Sequence, residues 1–249
     1  MNKLPQITLA FWVMKICATT LGETAGDLLS MTLNIGYAMS SLLLLGLFLA
    51  SLVGQLRSRS YHPALYWTVI LTTSTAGTTL SDFMDRSLGL GYATGALMLS
   101  SLLVVVLFTW QRSEKSLAVS NITSRRGELF YWGAILVSNT LGTALGDYLA
   151  DDSGLGFAGG ALLIGSLISL IAIAYYRTRI SHVVLFWMAF VLTRPFGATL
   201  GDVLTKSTEK GGLDLGTIGS SAVLAAVLVG MVCMAIWAQR MRPVTIGNE

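Results

Sequence analysis

The stretch Thr20-Leu21-Gly22-Glu23-Thr24-Ala25-Gly26-Asp27 places polar and small residues inside an otherwise apolar segment that contains Trp12. The same signature returns three more times, and in every copy Asp follows Trp by 15 residues and Gly by five. The later copies carry Trp67, Gly77 and Asp82, then Trp132, Gly142 and Asp147, then Trp187, Gly197 and Asp202. Self-similarity of this kind indicates a chain built from four repeats of one unit.

The distances between the tryptophans indicate two rounds of duplication. Successive tryptophans are 55, 65 and 55 residues apart, so the two halves superpose at an offset of 120 with no net gap. Thr79-Leu80 before Asp82, for example, returns as Thr199-Leu200 before Asp202. We therefore expect a first half at 1–110 with two repeats, a charged cytoplasmic linker at 111–128, and a second half at 129–249 with two repeats.

The composition is typical of a membrane protein. The mean hydropathy is +0.69, and only 12% of the residues are charged, whereas soluble domains average about 25%. A spanning helix needs about 20 consecutive apolar residues. Stretches of that kind recur at about 6–30, 37–55, 63–84, 92–110, 129–149, 156–175, 183–204 and 216–239. The sequence predicts an all-α integral membrane protein with eight transmembrane helices.

Lysine and arginine are divided unevenly between the predicted loops. Short loops rich in these residues stay in the cytoplasm, so both termini are expected there. One side carries Lys3, Arg57, Arg59, Arg112, Lys115, Arg125, Arg126, Arg177, Arg179, Arg240 and Arg242, and the other carries Arg86, Lys206 and Lys210. The net charge of +3 comes from these loops, so we expect no nucleic-acid partner.

Each repeat is predicted to be a helical hairpin with a polar first helix and an apolar second helix. The second helix begins near Gly36-Tyr37, Gly91-Tyr92 or Gly156-Phe157 in the first three repeats. Because each repeat has two spans, all four insert in the same orientation, as parallel repeats around an axis along the membrane normal. We expect the polar helices to gather at the centre and the apolar helices to face the lipid bilayer.

Polar side chains spaced three and four residues apart share one face of each first helix. This set is termed the polar seam, and it consists of Thr20, Glu23 and Asp27, then Thr75, Thr78 and Asp82, then Thr140, Thr143 and Asp147, and finally Asp202. Ionisable groups within a membrane span normally face a protein or water interior and mark functional sites. Carboxylate and hydroxyl oxygens suit hard cations, so these residues are predicted metal ligands, for Mn²⁺ first and alternatively Mg²⁺ or Ca²⁺.

Glu23 occupies a position that Thr78, Thr143 and Ala198 take in the other repeats, so no rule shared by all repeats requires it. A carboxylate of this kind is a candidate for binding a proton or a cation. Lys15 and Arg194 are further charges that occur in one repeat only, and each is a possible partner of a seam carboxylate. The alternative for both is a long basic side chain that reaches the cytoplasmic interface.

The repeated aspartates also have a purely structural interpretation. Each lies near the non-cytoplasmic end of its predicted helix, where a carboxylate can bond a loop or cap the next helix. A repeated loop anchor would recur four times, just as a repeated ligand would. The pattern alone leaves both interpretations open.

The tandem Thr-x-Gly-x-x-x-x-Asp hairpins, as in Thr20-Leu21-Gly22 with Asp27, resemble a bacterial family of uncharacterised multi-pass membrane-anchored proteins. That resemblance covers nearly the whole chain, implies the bacterial inner membrane, and names no activity. Glu23-Thr24-Ala25-Gly26-Asp27 is also loosely similar to the Glu-x-Gly-Asp signature of cation/proton exchangers that move manganese or calcium. Two residues separate Glu23 from Gly26 here, and the second Glu-containing motif of those exchangers is absent.

We expect a transporter and not an enzyme. No Ser-His pair, His-Glu-x-x-His or Gly-x-Ser-x-Gly element supports an intramembrane hydrolase. The expected function is proton-coupled transport of a hard divalent cation, with that cation and protons as partners and no resident cofactor. The alternative is a non-transporting structural or stress-associated membrane protein whose repeats serve packing. Both functions are compatible with a homo-oligomer.

Overall fold

The computed structural model describes residues 4–119, 122 and 124–241, which are helical and contain no strand. Lys3 and Arg242, used above to predict the orientation, lie outside the described residues. The long helices are α1 (Leu9–Asp27), α2 (Tyr37–Arg57), α3 (Pro63–Asp82), α4 (Tyr92–Glu114), α5 (Arg125–Asp147), α6 (Gly156–Arg177), α7 (His182–Thr205) and α8 (Thr217–Arg240). They closely follow the eight stretches expected from hydropathy.

Local signals explain several helix ends. The hydroxyl of Thr8 accepts a hydrogen bond from the backbone N–H of Phe11 and caps α1, while Pro63 opens α3, where its missing N–H costs nothing. Both neighbouring helices extend into the charged stretch 111–128, because α4 continues to Glu114 and α5 begins at Arg125. The cap of α5 is Ser124, whose hydroxyl also donates to the Glu114 carboxylate at 2.9 Å.

The polar helices form a closed ring. Helices α1, α3, α5 and α7 contact one another in that order, and α7 returns to contact α1. Each apolar helix packs on the inner helix of the following repeat: α2 on α3, α4 on α5, α6 on α7, and α8 back on α1. The repeats therefore interlock around the ring, and α8 closes it.

The outer helices have the length and apolarity of membrane spans. Among the described residues, five helices are long and apolar enough to cross a membrane, namely α2, α4, α6, α7 and α8. Large apolar side chains cover their outer faces, for example Leu42, Val104, Leu162 and Val223, each at least 65% exposed. Exposed apolar surface on this scale is typical of contact with lipid. The remaining helices α1, α3 and α5 carry most of the polar seam.

The glycines five residues before each aspartate allow the inner helices to touch. Each packs against the residue eight before the aspartate of the next repeat. The pairs are Gly22 with Ser74, Gly77 with Asn139, Gly142 with Arg194, and Gly197 with Thr19. A Cβ atom on Gly77 would lie 2.9 Å from the backbone carbonyl carbon of Asn139. The repeated glycine is therefore a helix-contact residue, as small residues commonly are in membranes.

Candidate functional site

Equivalent side chains of the four inner helices form layers inside the ring. Positions four residues apart on one helix differ in height by about 6 Å. From the N-terminal ends of the inner helices, the layers are Phe11, Tyr66, Tyr131 and Phe186; Lys15, Ile70, Ile135 and Phe190; Thr19, Ser74, Asn139 and Arg194; Glu23, Thr78, Thr143 and Ala198; and Asp27, Asp82, Asp147 and Asp202. All of these residues except Phe186 are buried. The ring interior thus changes from aromatic at one end to carboxylate-rich at the other.

Two basic residues that were predicted to lie in loops form ion pairs with the four aspartates. Arg86 lies 3.1 Å from Asp82 and 3.1 Å from Asp147, so its guanidinium joins α3 to α5. Lys206 lies 2.7 Å from Asp27 and 3.2 Å from Asp202, so its ammonium joins α1 to α7. Each basic residue follows the aspartate of its own repeat by four residues, and the two are related by the offset of 120. This four-residue spacing between aspartate and basic residue is visible in the sequence and could have identified Arg86 and Lys206 as partners of the aspartates.

Both basic side chains stay charged in this setting. Burial lowers the pKa of the Lys206 ammonium, but the carboxylates of Asp202 and Asp27 outweigh that effect and hold the pKa above its ordinary value. The same balance holds for Arg86, where burial is outweighed by the carboxylates of Asp82 and Asp147. The two cations therefore do not titrate near neutral pH.

One layer deeper, Glu23 is the centre of a hydrogen-bond network. Its Oε2 atom accepts from the hydroxyls of Thr78 and Thr143, each at 3.2 Å, and from Nη1 of Arg194 at 3.1 Å. All four inner helices contribute to this network, since Glu23 belongs to α1, Thr78 to α3, Thr143 to α5 and Arg194, from the neighbouring layer, to α7. Charge-assisted bonds of this kind are stronger than bonds between neutral groups.

Arg194 satisfies most of its donors across the ring. Its Nη2 atom donates to the hydroxyls of Thr78 and Thr143, and also to the backbone carbonyl of Ser74 at 3.2 Å. Nη1 donates to the backbone carbonyl of Thr19 at 3.3 Å as well as to Glu23. Arg194 is fully buried and contacts all three other inner helices, so it occupies the middle of the ring.

Three carboxylates converge between the last two layers. One oxygen each from Glu23, Asp147 and Asp202 lie within 4.8 Å of one another, and all three residues are buried. Asp202 Oδ1 accepts no hydrogen bond within the described part of the chain, although Lys206 lies at ion-pair distance from it. Oxygen atoms at this separation match the ligand set of a hard divalent cation. Asp27 and Asp82 belong to the same layer but not to this trio.

The predicted threonine ligands fall into two groups. Thr78 and Thr143 contact Glu23, as described above. Thr20, Thr75 and Thr140 are also buried, but their hydroxyls donate to backbone carbonyls of their own helices, at 2.9, 3.1 and 3.0 Å respectively. Hydroxyls of this kind retain acceptor capacity. A ligand role for these three residues stays a prediction.

Within the described part of the chain Lys15 pairs with no carboxylate, contrary to one of the two roles predicted for it, and its side chain does not extend to the surface of the protein either. Its side chain is fully buried, and Nζ has no hydrogen-bond partner in the described residues. The ammonium lies 4.2 Å from the centroid of the Phe190 ring, a cation–π distance. The physical reason is depth: Lys15 lies two layers from Glu23, and Arg194 occupies the layer between them.

Aromatic side chains close the opposite end of the ring. The hydroxyls of Tyr66 and Tyr131 are 2.8 Å apart, and both rings are buried. Trp187 packs edge-on against Trp110 and donates its indole N–H to the carbonyl of Leu117 at 3.0 Å. Leu117, shortly after α4, therefore lies against the ring at this end. Both ends of the polar interior are closed in this structure, by ion pairs at one and aromatic rings at the other.

A family model described as "Repeat of Unknown Function (DUF347)" matches the chain over residues 10–61, 65–116, 130–181 and 185–241. These four matches cover most of the chain and fall one on each repeat, which confirms the prediction of four repeats. The chain belongs to this family. No curated protein and no solved structure matches it.

Proposed function

We propose that this member of the repeat family spans the membrane eight times and transports a hard divalent cation in exchange for protons, with manganese as the first substrate to test. The observation that carries the proposal is the convergence of Glu23, Asp147 and Asp202, whose oxygens lie within 4.8 Å of one another. These carboxylates come from three different repeats. A site shared between repeats can change its geometry when the repeats move.

The charges around the site favour exchange of a divalent cation for protons. Five carboxylates in the last two layers, namely Glu23, Asp27, Asp82, Asp147 and Asp202, are ion-paired with three basic residues within the described chain, namely Arg86, Arg194 and Lys206. When these eight residues are all ionised, the ion-paired cluster carries an excess of two negative charges. Buried charge of one sign is costly, and one divalent cation or two protons would neutralise it. Alternating between these two occupants is the chemistry of an electroneutral exchanger.

The basic residues compete with the transported cation in this exchange. In the structure Arg194 forms an ion pair with the Oε2 atom of Glu23, and Lys206 forms one with Oδ1 of Asp202. An incoming cation competes with these tethered cations for the same oxygens. Thr78 and Thr143 remain as neutral oxygen donors in either state. We place the protein in the inner membrane of a bacterium with both termini in the cytoplasm, as the loop charges favour.

One observation favours the alternative, in which the repeats serve packing only. Arg86 and Lys206 lie in the segments that follow α3 and α7, and their ion pairs fix those segments to the ring. Aspartates that only anchored loops would require no transported ion. The two functions differ in what happens when an aspartate loses its charge but keeps its shape.

Metal flux in proteoliposomes separates the two functions. Purified protein is reconstituted with an internal manganese-sensitive dye and a proton gradient, beside Asp147→Asn and Asp202→Asn variants. Asp152→Asn is the matched control, because Asp152 is exposed in the loop after the same helix as Asp147. The proposal predicts flux in the native protein and the control, and at least a tenfold loss in both site variants. Equal flux in all four preparations, or none in the native protein with any hard divalent cation, would reject it.

A further inference from the structure

We propose that Arg86 and Lys206 form an ionic gate over the carboxylate end of the ring, which opens when Arg86 releases Asp147 and Lys206 releases Asp27, so that the α1–α3 pair separates from the α5–α7 pair. The inference rests on the proposed function only in taking the gated interior to be a cation site. It assigns to two loop residues the control of access to Glu23, Asp147 and Asp202.

The pairing pattern defines which helix contacts the gate holds closed. Arg86 joins Asp82 of the second repeat to Asp147 of the third, and Lys206 joins Asp202 of the fourth repeat to Asp27 of the first. Each cation thus links two neighbouring inner helices. The linked pairs are α3 with α5 and α7 with α1.

The other two contacts of the ring have no cation at this height. The positions equivalent to Arg86 and Lys206 are Met31 in the first repeat and Asp151 in the third. Small side chains meet there instead. A Cβ atom on Gly26 would lie 2.9 Å from Thr78 Cβ, and one on Gly146 would lie 2.9 Å from Ala198 Cβ. These contacts, α1 with α3 and α5 with α7, are close-packed and also carry hydrogen bonds, such as Thr78 to Glu23 and Arg194 to Thr143, so each pair stays together when the gate opens.

The location of the two cations suits a gate. Arg86 lies in a five-residue π-turn, Phe83–Ser87, and Lys206 directly follows α7, so neither is fixed within an α-helix. Their side chains are 29% and 22% exposed, whereas those of the four aspartates are at most 6% exposed. Water therefore reaches the cations but not the acids. Partly exposed ion pairs are weakened by salt and exchange partners readily.

The gate predicts how fast a reagent reaches the ring interior. Ala198 lies in the glutamate layer, one layer deeper than the aspartates that the gate covers, and it is fully buried. A single reporter, Ala198→Cys, is introduced after replacing Cys17 and Cys233, the free cysteines. Its reaction rate with a small water-soluble methanethiosulfonate is measured in nanodiscs. The rates are compared between the reporter alone and the reporter combined with Arg86→Gln and Lys206→Gln.

Lys210→Gln is the matched control, since it removes one positive charge from an exposed position in the same loop as Lys206. The gate predicts at least a tenfold faster reaction in the double-glutamine protein and an unchanged rate in the control. Arg86→Lys and Lys206→Arg preserve charge and should keep the reaction slow. If the double variant does not fold, the reporter in the otherwise native chain should still react faster at high than at low ionic strength.

Equal rates in the double variant and the control would overturn the gate. If the double variant does not fold, a reaction rate of the Ala198→Cys reporter that does not change with ionic strength would also overturn the gate. The reagent detects access without any transported ion. If the reporter reacts faster in the double-glutamine protein but the native protein shows no manganese flux, the gate stands and the proposed function is rejected. If manganese flux is observed but the reporter reacts equally fast in the double-glutamine protein and the control, the proposed function stands and the gate is rejected.

Discussion

The guanidinium of Arg194 and the carboxylate of Glu23 meet at 3.1 Å in the middle of the ring, where Arg194 is fully buried and Glu23 is 3% exposed. These two residues occur in different repeats, and neither is reproduced elsewhere in the repeat pattern. Arg194 also donates hydrogen bonds to backbone carbonyls on α1 and α3. The pair therefore adds polar bonds between helices that the repeated glycines join by packing alone.

The stability of the ring depends on keeping this pair matched. Arg194→Met leaves Glu23 buried without its cation, and we expect a loss of about 3–5 kcal/mol in the free energy of unfolding. Combining Arg194→Met with Glu23→Gln removes both charges and should recover much of that loss. Thermal unfolding in detergent measures both. A double variant as unstable as Arg194→Met alone would show that Arg194 acts through its shape and not through the ion pair.

Lys15 should respond in the opposite direction. Its ammonium is fully buried and lacks a hydrogen-bond acceptor in the described residues, so the charged form is disfavoured there. Lys15→Met keeps the length of the side chain and its packing on Phe190. We expect the unfolding temperature to stay the same or rise. A marked fall would mean that Lys15 has an interaction with water or an ion that stabilises the protein.

The repeated glycines allow a test of the helix contacts. Gly77→Ala would place a methyl group 2.9 Å from Asn139, and overpacking of this kind costs about 1–3 kcal/mol. Gly46 is the matched control, because it lies in the outer helix α2 with nothing within 4 Å of a Cβ atom. Gly46→Ala should be neutral or stabilising, since alanine favours the helix by about 0.5–1 kcal/mol. Equal effects at the two positions would contradict the interlocking ring.

Proton coupling should depend on Glu23. Glu23→Gln keeps the shape and hydrogen-bonding capacity of the side chain but removes its charge, so metal-driven proton movement should be lost. Thermal unfolding in detergent checks that this variant, in which Arg194 has lost its carboxylate partner, is folded. Lumenal pH in proteoliposomes reports this directly. Undiminished proton movement in Glu23→Gln would remove Glu23 from the mechanism.

The charge excess of the cluster predicts the stoichiometry of exchange. One divalent cation replacing two protons moves no net charge, so an imposed membrane potential should not change the initial rate of manganese flux. Potassium gradients with valinomycin set the potential. A rate that follows the potential would show that another number of protons, or none, crosses with each metal ion.

The fold was largely readable from the sequence, whereas the site was readable only in part. The period of Trp12, Gly22 and Asp27 predicted four hairpins and the inner polar helices because each repeat must bury the same polar face. Hydropathy placed the helix ends well, since apolar length is a local property. The pairing of Arg194 with Glu23 depends on which helices become neighbours, and closure of the ring through α8 and α1 decides that.

Arg86 and Lys206 were assigned only to the outer loops, although they follow Asp82 and Asp202 by four residues. The spacing of acid and base was visible, but the reach of each cation to a second aspartate in the next repeat was not. Contact with the second aspartate depends on the conformation of the turn after each helix, and the local sequence does not determine which way the side chain of the cation points. Long-range contacts of this kind need the assembled ring.

Binding of Mn²⁺ to the purified protein is the most direct test of the account. Electron paramagnetic resonance of a Mn²⁺ titration distinguishes bound from free ion without requiring transport. We predict saturable binding to the native protein and to Asp152→Asn, with at least a tenfold weaker affinity in Asp147→Asn and in Asp202→Asn. Binding of equal affinity in all four proteins would contradict a site formed by the converging carboxylates of Glu23, Asp147 and Asp202.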